Sequence, residues 1–259
     1  MPRIESFVNS DCVTLWIGDR LGPVERACFR SVVRAGHRLT LYCYSVPEGV
    51  PAGVEVQDAN EVLSSDKVFL HRRSSFAPFS DWFRYELQER EAGIWVDADV
   101  YLLSKIDIAG AYIFGKQAPN VINNAVLRLP AGSEALRRLL APFREHAIPP
   151  WMPRLYRWRH LLSRTVDMRT WPWGVMGPLG LTAVARSLGL ASQAQPPEVF
   201  YPVPWTRAGW IREPHRRLED MIDPRTVAIH LWNDCIGAFK NEPAPEGSFL
   251  HQLQVEGAG

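Results

Sequence analysis

Short apolar runs alternate with longer amphipathic ones, and the start of the chain shows the pattern. "CVTLWIG" (12–18) is apolar, rich in strand formers and closed by glycine, which predicts a strand. "PVERACFRSVVRAG" follows. It has Pro23 in a first turn, apolar residues at Val24, Ala27, Cys28, Val32 and Val33, and Gly36 as a stop, the signature of an amphipathic helix. "HRLTLYCYSV" reads as a second strand, and "GVEVQDANEVL" as a third with a short helix. Strand, helix, strand at the outset predicts an α/β fold with a mostly parallel sheet flanked by helices.

The clearest helix is "FAPFSDWFRYELQEREAG", where Phe79, Trp82, Phe83 and Leu87 recur at helical spacing between Pro78 and Gly93. It runs directly into the apolar strand Ile94, Trp95, Val96. "AYIFGKQ" and "NVINNAVLRL" read as strands, and "SEALRRLLAPFREHA" as a helix capped by Ser133. "GPLGLTAVARSLG" reads as a helix entered through Gly177–Pro178, "VFYPVPW" as a segment extended by its prolines, and "TVAIHLWND" as a last apolar strand. There is no internal repeat. A length of 259 residues with 46% hydrophobic content predicts one domain over 1–259.

One stretch differs in character. From Pro149 to Trp173 there are five arginines (Arg154, Arg157, Arg159, Arg164, Arg169) against the single acid Asp167, with Trp151, Trp158, Trp171 and Trp173 among them. This reads as an insertion at about 149–173. Interleaved Arg and Trp suit either an anionic membrane surface or the wall of a lipid-linked acceptor site. Packed tryptophans with solvated arginines are the plainer alternative. Lys plus Arg is 29 and Asp plus Glu 28, so charge gives no reason to expect a nucleic-acid partner. The cysteines Cys12, Cys28, Cys43 and Cys235 form no C-x-x-C pair and read as reduced thiols. With no signal-peptide pattern in "MPRIESFVNSDCVTLWIGD", the expected location is the cytoplasm, peripheral on the inner membrane face.

Chemistry enters with "AGIWVDADVYLL" (92–103), an apolar run carrying Asp97 and Asp99. In a strand, residues two apart share a face. At the C-terminal end of a strand in an open α/β sheet they would meet where ligands bind. Two carboxylates there suit Mg²⁺ or Mn²⁺ alongside phosphate oxygens. Solvated acids in a turn are the plainer reading of a bare D-x-D. In the preceding helix Asp81 and Arg84 lie three apart and share a face.

"SDWFRYELQEREAGIWVDADVYLL" resembles the DXD-containing sugar-binding segment of family 32 glycosyltransferases. That group is related to outer-chain mannosyltransferases, α1,4-galactosyl- and N-acetylglucosaminyltransferases and the clostridial glucosylating toxin core. Ser80, Asp81, Arg84, Tyr85, Leu87, Gly93, Ile94, Asp97 and Asp99 carry the resemblance; Ala92 and Trp95 depart from it. Weaker echoes are "LWIGD" with Trp16, "VINNAVLRLP" with Asn123 and Asn124, "GPLGLT", and "IHLWND" with His230 and Trp232. The resemblance implies a GT-A type nucleotide-sugar-binding fold. It also implies retaining transfer of a hexose from a nucleotide-sugar, expected to be UDP-linked, to a hydroxyl of a glycan or glycolipid. On that basis Asp97, Asp99 and His230 would hold Mn²⁺ or Mg²⁺, Asp81 and Arg84 the sugar, Trp16 the base, and Asn123, Asn124, His230 and Trp232 the rest of the donor. No residue reads as a covalent nucleophile. An ordinary core histidine is the alternative for His230.

Two other functions compete. A haloacid-dehalogenase-like phosphatase also has D-x-D after a strand, but Val100 and Tyr101 follow Asp99 here and the motif lies far from the N-terminus. A non-catalytic nucleotide-sugar-binding protein would not need Asp81, Arg84, Asp97 and Asp99 together.

Overall fold

The computed structural model describes residues 11–163 and 166–259. The leader reading of residues 1–10, and Arg164 of the insertion, lie outside them.

Four strands come first: β1 (Cys12–Trp16), β2 (Leu39–Cys43), β3 (Val54–Asp58) and β4 (Ile94–Val96). Then come β5 (Val100–Leu102), β6 (Ile113–Ala118), β7 (Val121–Arg128) and β8 (Ala228–His230). The main sheet has six strands in the order β3-β2-β1-β4-β7-β6. β3, β2, β1 and β4 pair in parallel, and β7 runs against β4 and β6. A separate antiparallel pair joins β5 to β8.

The helices are α1 (Pro23–Arg34), α2 (Ala77–Glu89), α3 (Glu134–Arg144) and α4 (Arg154–Ser163), followed by α5 (Pro178–Ser187), α6 (Pro197–Phe200), α7 (Asn233–Ile236) and α8 (Phe249–Ala258). This is an α/β fold with a mostly parallel sheet flanked by helices, the arrangement of a GT-A-like fold.

Strand alternation sorts the core onto two faces. Cys12, Ile94 and Val96 join α1 and α8 on one side. Val13 and Trp95 join α2, α3 and α5 on the other. α2 is enclosed: Asp81 through Gln88 are all buried, beyond the one apolar stripe its spacing predicts. It turns into β4 at Gly93, which has φ +142°; a Cβ there would lie 2.4 Å from the Asp11 carbonyl oxygen. Only glycine permits that approach, and it sets the start of β4 beside β1.

Two expected elements differ. "VFYPVPW" is not extended throughout: Val199 and Phe200 end the short helix α6, which Pro197 starts without losing a hydrogen bond, whereas Pro204 is extended. The run 92–103 is two strands divided by a turn, and they belong to different sheets.

Candidate metal centre and sugar-binding network

Pairing of β4 with β7 stops at Val96, so Asp97 and Asp99 lie on the tight turn after the strand. The Val100 amide closes that turn on the Asp97 carbonyl at 3.0 Å. The two acids therefore do not converge by strand alternation. They converge because the turn hands the chain to β5, whose Val100 pairs with His230 on β8. The Leu231 amide locks the register by donating to the Asp99 carbonyl at 2.9 Å. His230 Nε2 lies 3.3 Å from Asp99 Oδ2 and 4.0 Å from Asp97 Oδ2. One potential ligand atom from each of the three residues falls within 4.8 Å of the others.

A divalent ion fits this arrangement. Metal–ligand bonds of about 2.1 Å place neighbouring ligand atoms about 3 Å apart and opposed ones about 4.2 Å apart. Two carboxylates with an imidazole suit Mn²⁺ well, since imidazole favours the later metals over Mg²⁺.

Each carboxylate is aimed by donors. Asp97 Oδ1 accepts from the Trp95 indole N–H at 2.6 Å and pairs with Arg84 at 3.0 Å, which leaves Oδ2 toward His230. Asp99 Oδ2 accepts the Asn233 amide at 2.6 Å. Trp232 makes that possible by adopting φ 62°, ψ 61° at the start of α7. A left-handed tryptophan costs roughly 1–2 kcal/mol, so strain is held beside the cluster. Behind it, the Lys240 ammonium donates to Asn233 Oδ1 at 2.6 Å and pairs with the buried Glu25 carboxylate. Burial opposes ionisation of Asp99, but His230, the Asn233 amide and Lys240 outweigh it and hold the carboxyl well below its usual range. Burial likewise disfavours the His230 cation, and Asp99 and Asp97 reverse this, raising its pKa.

Arg84 joins the cluster to a second group. Its guanidinium lies over the Trp95 ring at 4.6 Å, donates to the Asn124 carbonyl at 2.6 Å and approaches Asp81 at 3.5 Å. The Asn124 amide donates to Asp81 Oδ1 at 2.8 Å. Burial pushes the Asp81 carboxyl up to about 6, with Arg84 and the Asn124 hydrogen bond opposing it. Arg84 is held charged despite its own burial, mostly by Asp97 and then by Asp81. Asp97 is the nearer carboxylate, so Asp81 receives the weaker share of that charge. Gly177, at the start of α5, closes the group: a Cβ there would meet the Asp81 carboxylate at 3.0 and 3.1 Å.

Asp81, Arg84, Asp97, Asp99, Asn124 and His230 thus form one connected network. Trp16 ends β1 at the same edge of the sheet as Asp97, half-buried, and among the described residues its indole N–H lacks a partner. Asn123 turns to its own surroundings, donating to Gln117 and accepting from the Ala125 amide. Trp232 packs on His230 with ring centres 4.2 Å apart and gives its N–H to the Val203 carbonyl, so it meets the cluster through His230.

Four participants were not foreseen. Trp95 aims Asp97, and Gly177 makes room for Asp81. Lys240 and Tyr201 come from distant segments; the Tyr201 ring meets the His230 ring edge-on at 5.8 Å, and its hydroxyl accepts the Val126 amide at 3.4 Å. Trp95, two residues before Asp97, and Gly177, inside "GPLGLT", left local signals; Lys240 and Tyr201 did not.

No protein-family model matches the chain. Lactosylceramide 4-alpha-galactosyltransferase of Homo sapiens is 27% identical over 173 residues, 60% of this chain and 41% of that protein. The Gorilla gorilla gorilla enzyme of that name matches equally over 44% of its length. The Pongo pygmaeus one is 27% identical over 172 residues, 66% of its length. These distant relatives are glycosyltransferases. They support a glycosyltransferase here, and the matched segment spans less than two thirds of each relative.

Proposed function

We propose that this protein is a metal-dependent, retaining glycosyltransferase. It moves a hexose from a nucleotide-sugar, read as UDP-linked, to a hydroxyl of a glycan or glycolipid. The observation that carries the reading is the Arg84–Asp97 contact at 3.0 Å, which joins a metal-type cluster to a buried polar network suited to sugar hydroxyls. The activity named for the relatives makes galactose the first donor sugar to try and a glycolipid the first acceptor.

Asp97, Asp99 and His230 would hold Mn²⁺ or Mg²⁺. The ion would supply Lewis-acid neutralisation of the departing diphosphate. Asp81 would accept hydrogen bonds from donor sugar hydroxyls, and Arg84 would keep Asp81 and Asp97 in fixed relation. Trp16 would stack the base, with its unpartnered N–H near the same edge. His230 would orient through its Nε2 face. No residue of the sequence reads as a covalent nucleophile, so the leaving phosphate itself would take the acceptor proton on the front face.

Mn²⁺ with the correct UDP-hexose is expected to raise the melting temperature by several degrees. Ligand at about 100 times its Kd adds about 2.7 kcal/mol, and 1 kcal/mol moves a chain of this size by about 2–4 °C. EDTA should cancel the shift and stop release of free sugar from the donor. A flat response to all nucleotide-sugars, or turnover indifferent to EDTA, overturns the reading.

Gly177→Ala is expected to cut donor hydrolysis about tenfold with a small loss of stability, because the new methyl crowds Asp81 and Asn124. Full activity in purified Gly177→Ala would show that Asp81 is not held for catalysis.

A further inference from the structure

The insertion divides its tryptophans. Trp171 is buried, Trp151 gives its N–H to the Val175 carbonyl at 2.7 Å, and Trp173 packs on His71 and Arg73. Trp158, on α4, remains 66% exposed, and Leu155 is 79% exposed. At 100° per residue, Trp158 and Leu155 lie about 40° and 100° round the helix from Arg154, and Arg159 lies at about 140°. An apolar edge is therefore bordered on both sides by arginine. Tyr156, on the opposite side, packs into the core. Arg154, Arg157 and Arg159 are exposed, and none has an ion-pair partner among the described residues. Residues 146–166 contain no acid.

We propose that α4 docks on the surface of an anionic lipid bilayer, with Leu155 and Trp158 entering the interface and the three arginines meeting lipid phosphates. Charge selects this occupant: an apolar edge flanked on both sides by cations matches a surface that is apolar inside and anionic at its rim. The position is meaningful. Trp151, just before α4, bonds to Val175, two residues before the Gly177 that faces Asp81. A docked α4 would hold the Asp81 side of the site near the membrane. The inference rests on the surface of α4 and not on the transferase reading. Among the described residues no helix is long and apolar enough to cross a membrane.

The test is sedimentation of the full chain with vesicles of phosphatidylglycerol and phosphatidylcholine, against phosphatidylcholine alone. The chain is expected to sediment with the anionic vesicles only, and to be released at 0.5 M salt. Arg154→Gln/Arg157→Gln/Arg159→Gln should lower partitioning about a hundredfold. Leu155→Ser/Trp158→Ser should also weaken it. Both variants should keep the parent's melting temperature and its hydrolysis of a soluble nucleotide-sugar donor, so a failure of binding is separable from a failure of the transferase reading. No association with anionic vesicles, equal association with neutral ones, or variants that bind like the parent would overturn the proposal. A concentration-dependent dimer dissolved by Leu155→Ser/Trp158→Ser would overturn it in favour of a second copy of the chain.

Discussion

Asp99→Asn is expected to lower metal-dependent release of sugar from the donor by about a thousandfold while the protein stays folded. Asp99 Oδ2 accepts the Asn233 amide at 2.6 Å and faces His230 at 3.3 Å, in a position that is 5% exposed. An asparagine oxygen can still accept the Asn233 amide, so the start of α7 and the β5–β8 pairing survive. What is lost is the charge. A neutral amide is a poor ligand for a hard cation, and removing one preorganised electrostatic stabiliser commonly costs 10²–10³ in rate. The assay is free-sugar release with Mn²⁺ titrated, together with the Mn²⁺-induced shift in melting temperature. Activity at the parent level, or an unchanged Mn²⁺ shift, would remove Asp99 from the metal site. The converse signature is informative too. If the variant melts higher than the parent without metal and no longer responds to it, then the crowding of acids is itself a cost, which the ion relieves.

How much of this was readable in the chain depends on distance along it. The elements from β1 to α3 carry local signals: a periodicity, a proline at the start, a glycine at the stop. Asp81 and Arg84 follow from helical spacing, and their link to Asp97 from the short passage through Gly93. Even so, the convergence of Asp97 and Asp99 has a different physical cause from the strand alternation that the sequence predicts. Strand alternation would have aligned them on one face, but a turn and a second sheet bring them together. Nothing local announces that Val100 pairs with a residue 130 positions later. For the same reason Tyr201 and Lys240 escaped notice: they reach the site through long-range packing, and neither lies in a motif. The insertion shows the opposite failure. Its composition does not tell its four tryptophans apart, and burial separates one exposed ring from three that pack.

Arg84→Met and Asp81→Asn are expected to part company: both inactivate, but only the first destabilises. Arg84 is 4% exposed and neutralises two carboxylates. Methionine leaves Asp81 and Asp97 facing each other in the interior, and removing one partner of a buried pair costs about 3–5 kcal/mol, hence a fall in melting temperature of about 10 °C. Asp81→Asn keeps an oxygen for the Asn124 amide and leaves Arg84 balanced by Asp97. Its pH dependence carries the sign. Burial raises the Asp81 carboxyl from 3.8 to about 6 in the fold, so the native state holds a proton that the unfolded chain has released between those values. Stability from this group therefore falls as pH rises from about 4 to about 6, by about 3 kcal/mol in all. Asp81→Asn removes that loss. Its melting temperature should match the parent's near pH 4 and exceed it near pH 7.5, while donor hydrolysis drops by about a thousandfold. A variant that melts below the parent at pH 7.5 would mean that the ionised Asp81 stabilises the fold, and that its burial beside Arg84 serves structure before sugar.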